Sequence, residues 1–261
     1  MVLPLPLPLL ESFTFVVGAC LGSFYNVVIH RLPRGESLVR PGSHCPACGA
    51  PIAPHDNIPL LSYLALLGKC RHCRATISPR YPLVEALSGA LALLLLRRFG
   101  LEPRFFIDFA FASALLVVTF IDLDTYTIPD ILSLSGILVG FAISFFTPGL
   151  AWWDSLAGIV VGGGSFWLIA IVYSFLRHRE GLGGGDVKLL AMIGAFTGVT
   201  GVVFTVLAAS VTGLLAGLVV MWRSRQGLTA MIPFGPFLAL GALGHLFWGK
   251  AFFDWYLSTM R

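Results

Sequence analysis

Two aspartates lie at the ends of long apolar runs, where a charged side chain is costly. Asp122 comes just after RFFIDFAFASALLVVTF, and Asp186 opens DVKLLAMIGAFTGV. An ionisable residue at membrane depth indicates a functional site. Two carboxylates that share one proton can activate water, because one accepts a proton from it while the other donates to a carbonyl oxygen. The pair predicts an aspartyl dyad, and the sequence does not say which residue takes which role.

The first aspartate belongs to a cluster of acids in FIDLDTYTIPD, which closes one apolar run and precedes the next. Asp124 and Asp130 are the other two acids, and Pro129 fits the first turn of the following helix. Acids here can also cap that helix or mark the water interface. We favour this structural explanation for Asp124 and Asp130, whereas for Asp122 taken alone the two explanations are balanced.

A glycine-rich strip precedes the second aspartate in GLGGGD. Glycine allows close approach of another backbone, which suits an extended peptide lying beside the acid. Asp186 would then head a helix, whose N-terminal dipole favours a carboxylate. The alternative is a flexible loop with an aspartate N-cap. The strip consists of Gly181, Gly183, Gly184 and Gly185.

The composition predicts an all-α polytopic membrane protein with about eight transmembrane helices. The chain has 261 residues, of which 57% are hydrophobic and 11% charged, whereas soluble domains have about 25% charged residues. The net charge of +4 gives no sign of a nucleic-acid-binding domain. The N-terminus lacks a positive region and a cleavage site, so we expect a permanent first helix. The predicted spans are 10–29, 82–98, 104–121, 128–147, 154–176, 186–200, 202–222 and 229–248; the sixth is short enough to be a re-entrant segment.

The distribution of basic residues predicts the orientation. With eight spans and an outside N-terminus, the segments on the cytoplasmic side hold 12 of the 17 Lys and Arg residues, in agreement with the positive-inside rule. The dissenting residues Arg97, Arg98 and Arg104 fall on the opposite side. Residues 31–81 and both aspartates are then expected at the cytoplasmic face.

Residues 31–81 form a small zinc-ribbon-like insertion between the first two spans. Two CxxC pairs about 20 residues apart have zinc-ribbon spacing, and four thiolates make a closed structural Zn²⁺ site. Disulfides are the alternative, but cytoplasmic thiols stay reduced. The predicted ligands are Cys45, Cys48, Cys70 and Cys73.

The remaining metal-ligand residue types are given other roles. Cys20 lies inside the first predicted span, where packing is a better explanation than chemistry. His44, His55 and His72 are alternative ligands, but with four cysteines present we interpret them as surface or site-lining residues.

The chain resembles the bacterial type IV prepilin peptidases, bifunctional leader peptidases and N-methyltransferases among the GxGD aspartyl membrane proteases. The resemblance covers GSFYNVVIHRLPRGES, the stretch from HCPACG to YPLVE, FIDLDTYTIPD and GLGGGDVKLLAMIGA in the family's order. The cysteine motif is the most specific part, since other GxGD proteases lack it. The resemblance implies that Asp122 and Asp186 are the catalytic pair.

The resemblance also implies the reaction and its setting. The enzyme would sit in the bacterial inner membrane and cut the basic leader of a prepilin or pseudopilin after glycine, at the cytoplasmic face. It would then methylate the new N-terminal amine with S-adenosylmethionine (SAM). The bilayer and the pilin precursors are the implied partners. A peptidase without methyltransferase activity is the nearest alternative; a proton-coupled transporter and a membrane-anchored zinc-ribbon adaptor are further ones.

The methyltransferase function has weaker support from the residues, since no Rossmann glycine motif follows a strand. We expect it to be associated with the insertion and leave the SAM-binding residues unassigned. The predicted domains are the first helix (1–30), the four-cysteine zinc-binding insertion (31–81) and the protease domain (82–261). Polar candidates near the insertion are Asn26, His30, Arg31, His55, Asp56 and Asn57.

Overall fold

The fold is described from a computed structural model that covers residues 6–147, 149–177, 183–224 and 232–260. These residues form α-helices and no β-strand beyond two isolated bridges. The all-α prediction is therefore confirmed. The helices are α1 (Leu7–Arg31), α2 (Leu61–Ala65), α3 (Arg80–Phe99), α4 (Pro103–Thr125), α5 (Asp130–Ser144), α6 (Trp152–Arg177), α7 (Gly184–Ser224) and α8 (Gly235–Thr259).

Long apolar helices confirm a multi-pass membrane protein. Four stretches in the described part of the chain are long and apolar enough to cross a membrane. An apolar helix buries its backbone polar groups in its own hydrogen bonds, which is what a bilayer requires. The count of about eight spans stays a prediction. The four stretches are Leu7–Arg34, Pro103–Thr125, Trp152–Arg177 and Gly184–Trp222.

The chain forms two compact units, Met1–Val117 and Val118–Arg261. The first contains α1, α2, α3 and most of α4, with the cysteine insertion between α1 and α3. The second contains the end of α4 and the helices α5 to α8. The predicted division at residues 30 and 81 concerns function and stays a prediction.

Small residues bring α1 and α3 into close contact in the first unit. A Cβ added to Gly22 would lie 2.7 Å from the Glu85 Cα, and one added to Gly18 would lie 2.8 Å from the Ala92 Cβ. Such close approach is typical of membrane helix pairs. The buried Ser88 hydroxyl adds a hydrogen bond by donating to the Gly18 carbonyl at 2.7 Å.

The basic residues that oppose the predicted orientation have partners nearby. Arg97 forms a two-pronged ion pair with Glu11, with both N–O distances 2.8 Å. Arg104 pairs with Asp108, one turn further along α4, at 3.2 Å. Both arginines are therefore paired in the structure, but the positive-inside rule counts Lys and Arg and not net charge, so they still oppose the predicted orientation.

Glycines also set the packing of α6 against α7 in the second unit. A run of three glycines at residues 162–164 lies inside α6, and two of them, Gly162 and Gly163, lie against α7. A Cβ added to Gly162 would lie 2.6 Å from the Leu190 carbonyl oxygen. Gly158 and Gly194 meet backbone to backbone in the same crossing.

The 41-residue helix α7 consists of two halves that meet at Gly198. Gly198 has φ 67° and ψ −170°, a conformation that interrupts the helix and favours glycine. The chain folds back there, because Gly162 lies against both Leu190 and Val202. The Asp154 carboxylate accepts the Val199 N–H at 3.2 Å and so caps the second half. The break lies close to the predicted boundary between the spans 186–200 and 202–222.

Candidate active site and metal centre

Asp122 occupies the last turn of α4, where the apolar helix reaches its polar end. Its side chain is buried, with 4% of the residue exposed. Its Oδ2 atom accepts a hydrogen bond from the Gly235 main-chain N–H at 3.0 Å, and Gly235 is the first residue of α8. The Asp122 carbonyl accepts the Tyr126 N–H at 2.9 Å, which closes the end of the helix. The prediction that Asp122 ends an apolar helix is confirmed.

Asp186 occupies the first turn of α7, which begins at Gly184. It therefore heads a helix as predicted, but it lies inside the first turn and is not the N-cap. Its main-chain N–H donates to the Gly183 carbonyl at 3.1 Å. Within the described residues, its carboxylate has no hydrogen-bond donor. Gly181, the first glycine of the strip, lies outside the described residues.

The structure brings the two aspartates near each other within the second unit. They are close enough for the Asp122 charge to act on the Asp186 carboxyl. Ile128 connects their surroundings, since its side chain lies against Gly185, beside Asp186, and against Gly235. Two neighbouring carboxylates cannot both ionise easily, so this arrangement can hold one shared proton.

The other acids of the cluster are placed differently. Asp124 is exposed, and Asp130 is the first residue of α5. Asp130 accepts a hydrogen bond from Lys188 Nζ at 2.6 Å and makes no side-chain capping bond. Lys188 is thus paired with Asp130, and no described hydrogen bond joins it to either aspartate of the dyad.

The four predicted ligand cysteines come together in the first unit. Their sulfur atoms all lie within 4.8 Å of one another. The Sγ atoms of Cys45 and Cys73 are 3.8 Å apart, and a tetrahedral site with Zn–S bonds of about 2.3 Å requires about 3.8 Å between sulfurs. The donor set therefore fits a tetrahedral metal ion. The cluster consists of Cys45, Cys48, Cys70 and Cys73.

Each CxxC pair lies on a tight knuckle with the same hydrogen-bond pattern. The Cys45 N–H donates to Ala50 O and the Cys70 N–H donates to Ala75 O, at 2.9 and 2.8 Å. The residue after the second cysteine is left-handed in both knuckles: Gly49 has φ 71° and Arg74 has φ 60°. The two knuckles are therefore repeats of one unit, with glycine in one and arginine in the other.

Main-chain groups in the knuckles favour thiolates at the first cysteine of each pair. The N–H groups of Cys48 and Ala47 lower the pKa of Cys45 to about 7. At Cys73 the Ala75 N–H acts in the same direction, but desolvation and the adjacent thiols raise its pKa to about 11. Four thiolates this close repel one another, and a divalent cation at their centre would allow all four to ionise.

The alternative ligands stay outside this cluster. His44, His55 and His72 do not belong to the group of four, and His55 and His72 are exposed. Cys20 is also outside it. Its side chain is exposed on α1, within the first predicted span, and its interpretation as a residue for packing and not for chemistry stays a prediction. Position along an apolar span did not predict which way the side chain faces.

Several polar residues proposed for SAM binding have structural partners in the first unit. The buried Asn26 donates to the Tyr81 carbonyl at 3.1 Å, and the buried Arg31 donates to the Ser37 carbonyl at 3.0 Å. Asp56 accepts two hydrogen bonds from Arg71, at 2.6 and 2.7 Å, which hold its pKa below the usual range. The Arg31 bond connects the insertion to α1, the Asn26 bond joins α1 to α3, and the Asp56–Arg71 pair lies within the insertion. None of these bonds supports an assignment of a SAM site.

Two residues that lie beside Asp122 were not predicted from the sequence. Gly235 donates to its carboxylate, and Ile128 fills the space between Gly235 and Gly185. The Gly-Pro pair at 235–236 is a signal for the start of a helix and could have placed Gly235 at the beginning of α8. Nothing in the sequence pairs that helix with Asp122 across 113 positions.

These features define a multi-pass helical membrane protein with a carboxylate pair at helix ends and a four-cysteine cluster that could hold a metal ion. Two family domains match the chain, the bacterial Peptidase A24 N-terminal domain over residues 16–99 and the type IV leader peptidase family over residues 109–218. Together with the relatives below, they show that the chain belongs to the type IV leader peptidase family.

The curated relatives extend over most of the chain, and each is named a prepilin leader peptidase/N-methyltransferase. The protein of Burkholderia pseudomallei is 37% identical, covering 95% of this chain and 89% of its own. That of Pseudomonas aeruginosa is 36% identical, covering 94% and 92%. That of Myxococcus xanthus is 44% identical, covering 82% and 64%. No solved structure shows significant similarity to the chain.

Proposed function

We propose that this chain is an aspartyl endopeptidase of the inner membrane that removes the leader of type IV prepilins or pseudopilins. The reacting groups are Asp122 and Asp186. The observation that carries the proposal is their convergence in the second unit, where each ends or begins an apolar helix and Ile128 lies against both Gly185, beside Asp186, and Gly235, the partner of Asp122. A substrate helix lying in the bilayer would present its end to a pair at that depth.

The two carboxylates would act on a water molecule through one shared proton. The ionised aspartate takes a proton from water as the water oxygen bonds to the scissile carbonyl carbon. The protonated aspartate gives its proton to the carbonyl oxygen, which forms a tetrahedral intermediate. Transfer of a proton to the amide nitrogen then accompanies cleavage of the C–N bond. At Gly183 and Gly184, just before Asp186, no side chain would hinder the approach of an extended peptide.

The setting of this reaction is part of the proposal. The bias of basic residues supports an active site at the cytoplasmic face. The leader would be short and basic and would end in glycine. The four-cysteine cluster would hold a structural Zn²⁺, whose closed coordination leaves no position for water. The ion would fix the two knuckles of the insertion and take no part in the hydrolysis.

Methylation of the new N-terminus is the second activity, and the name of the relatives supports it. SAM, when bound, supplies the methyl group that the free amine accepts. No residue of this chain is assigned to it. Neither the peptidase-only alternative nor the transporter is favoured by a contact in the structure.

Cleavage of a prepilin by the purified, lipid-embedded enzyme tests the proposal. Asp122→Asn and Asp186→Asn keep the size of each side chain, and we expect each to reduce cleavage by at least about a thousandfold, because neither can complete the proton transfers. Asp124→Asn is the matched control, an exposed acid in the same turn of α4. Metal content and thermal unfolding should match those of the wild type.

Full activity of either dyad variant would reject that aspartate as catalytic. For the second activity, labelled SAM is supplied with a precleaved pilin. Label on the pilin from the dyad variants would place methylation at a separate site, and its absence with the wild type would favour a peptidase without methyltransferase activity.

A further inference from the structure

We propose that Gly235 is a positioning residue whose main-chain N–H holds Asp122 as the ionised member of the pair, so that Asp122 accepts the proton of water and Asp186 donates to the scissile carbonyl. This inference rests on the proposed function. It assigns the two roles that the sequence leaves open, and it gives the segment before α8 a part in the reaction.

Asp122 contacts the main chain at the start of α8. The first N–H groups of a helix have no partner within the helix. Phe234, the N-cap of α8, makes no side-chain capping bond, and the Gly235 N–H instead donates to Asp122 Oδ2 at 3.0 Å. A carboxylate in this place is favoured by the hydrogen bond and by the positive end of the helix dipole. Asp122 thus takes the position of a capping residue for a helix far along the chain.

The space around Gly235 leaves no room for a side chain. A Cβ on Gly235 would lie 2.6 Å from Asp122 Oδ2 and 3.2 Å from its Cγ, with Ile128 Cδ1 at 3.3 Å. Any side chain at this position would therefore push the carboxylate away from the N–H. Gly235 lies in the helix, so its small size, and not a left-handed conformation, is what this position requires.

Asp122 and Asp186 differ in the hydrogen-bond donors that their carboxylates have in the described structure. Asp122 has a main-chain donor fixed by α8, whereas within the described residues the Asp186 carboxylate has none. When two carboxyls share one proton, the one that accepts a fixed hydrogen bond is the better place for the negative charge. Asp186 also lies near the start of a helix, but no N–H of that helix reaches its carboxylate in the described structure.

The other charged groups around the pair do not reverse this assignment. The first turn of α8 contains no acid. Lys188 on α7 and Asp130 on α5 are paired with each other. Asp124 is exposed at the end of α4. Asp186 is therefore the titratable partner of Asp122.

The proposed proton path is balanced over one turnover. Asp122 takes a proton from water as the oxygen–carbon bond forms, and Asp186 gives its proton to the carbonyl oxygen. As the C–N bond breaks, Asp122 returns its proton to the leaving nitrogen, and a hydroxyl of the intermediate returns one to Asp186. The pair ends as it began, with Asp122 ionised.

A main-chain ester tests the role of the N–H without adding a Cβ. Incorporation of glycolic acid at position 235 of the full chain removes that one donor and keeps the shape. Cleavage of a prepilin in lipid is then measured across pH. We expect the acid limb of the kcat profile to move to higher pH by about one to two pH units, since a hydrogen bond to an ionised group has been lost. The alkaline limb and KM should stay within about twofold of the wild type.

Gly235→Ala is the second variant, and it tests the steric step. We expect kcat to fall about a hundredfold with little change in KM, because displacement of a reacting group by about 1 Å has an effect of that size. Its acid limb should also move to higher pH. Gly164→Ala is the matched control, since a Cβ there meets nothing within 4 Å, and it should leave the profile unchanged.

The outcomes separate this inference from the proposed function. A shift of the alkaline limb alone would mean that Asp186 is the ionised partner, and an unchanged profile in the ester would mean that the N–H has no role. Either result, with an active wild type and inactive Asp122→Asn and Asp186→Asn variants, overturns the inference and leaves the peptidase intact. Activity in those aspartate variants would instead overturn the proposed function.

Discussion

Lys188 Nζ lies 2.6 Å from Asp130 Oδ1 and so ties the first turns of α7 to the first residue of α5. The pair is partly exposed, with 37% and 59% of the two side chains accessible. An exposed ion pair contributes about 0–1 kcal/mol. Its role is therefore to satisfy two charges near the acid pair.

We predict that Lys188→Met changes kcat/KM for prepilin cleavage by less than about fivefold, because an exposed pair contributes little. The limbs of the pH profile should not move, since Lys188 contacts Asp130 and not the dyad. The measurement is cleavage across pH in lipid, with Lys250→Met as a matched control. A displaced acid limb would show that Lys188 acts on the dyad after all.

Removal of two metal ligands should dismantle the insertion. We predict that the double variant Cys45→Ser, Cys70→Ser loses the bound metal, because each substitution removes one thiolate from a site with four. Metal analysis of the purified protein is the readout, together with hydrogen exchange over residues 35–79. Cys20→Ser is the matched control, an exposed cysteine outside the cluster. Full metal retention in the double variant would contradict the assignment.

Arg74 should be a strained position in the second knuckle. Arg74 has φ 60° where the first knuckle has Gly49 with φ 71°. A left-handed non-glycine residue costs about 1–2 kcal/mol. We therefore predict that Arg74→Gly raises the metal affinity of the insertion by about fivefold and Gly49→Ala lowers it by a similar factor.

Competition with a chelator measures both knuckle variants. If both substitutions changed the metal affinity in the same direction, the two knuckles would not share a backbone conformation. Loss of the Arg74 charge is controlled by Arg74→Gln, which should keep the wild-type affinity.

The reversal in α7 should be sensitive to a single methyl group. Gly198 has φ 67°, and a Cβ there would run into the Asp154 carboxylate. We predict that Gly198→Ala destabilises the protein by more than about 1 kcal/mol, from the left-handed backbone alone. Thermal unfolding in detergent is the measurement, and Gly164→Ala, in open space on α6, is the control. Equal melting temperatures for the two variants would contradict a required reversal.

The sequence predicted the helices well because apolar runs of membrane length leave few alternatives. It predicted the four ligands because CxxC spacing fixes sulfurs on a knuckle. It did not show that the Cys20 side chain is exposed on α1, since a span that is apolar all round does not reveal which face is covered. Nothing in the sequence showed that Lys188 pairs with Asp130, because this pairing depends on packing between two helices.

The two aspartates of the candidate site could be predicted from the sequence, but Gly235 could not. Asp122 and Asp186 are conspicuous as charges in apolar surroundings, whereas Gly235 contributes a main-chain N–H that any residue but proline carries. Gly235 is important because its N–H lies against the Asp122 carboxylate. Only the folded chain shows that a glycine 113 positions away donates to the Asp122 carboxylate.

The reversal at Gly198 decides at which end of α7 the next helix, α8, begins. As one straight helix, the 41 residues of α7 would extend about 60 Å, twice the roughly 30 Å of a bilayer core. Because α7 folds back at Gly198, its second half returns toward the end at which Asp186 lies. Gly235 therefore begins α8 on the same side as Asp186. The N–H that meets Asp122 is there because the number of traverses between Asp186 and Gly235 is even. An insertion or deletion that changed this number by one would leave both aspartates in the sequence and take the donor to the other side of the membrane.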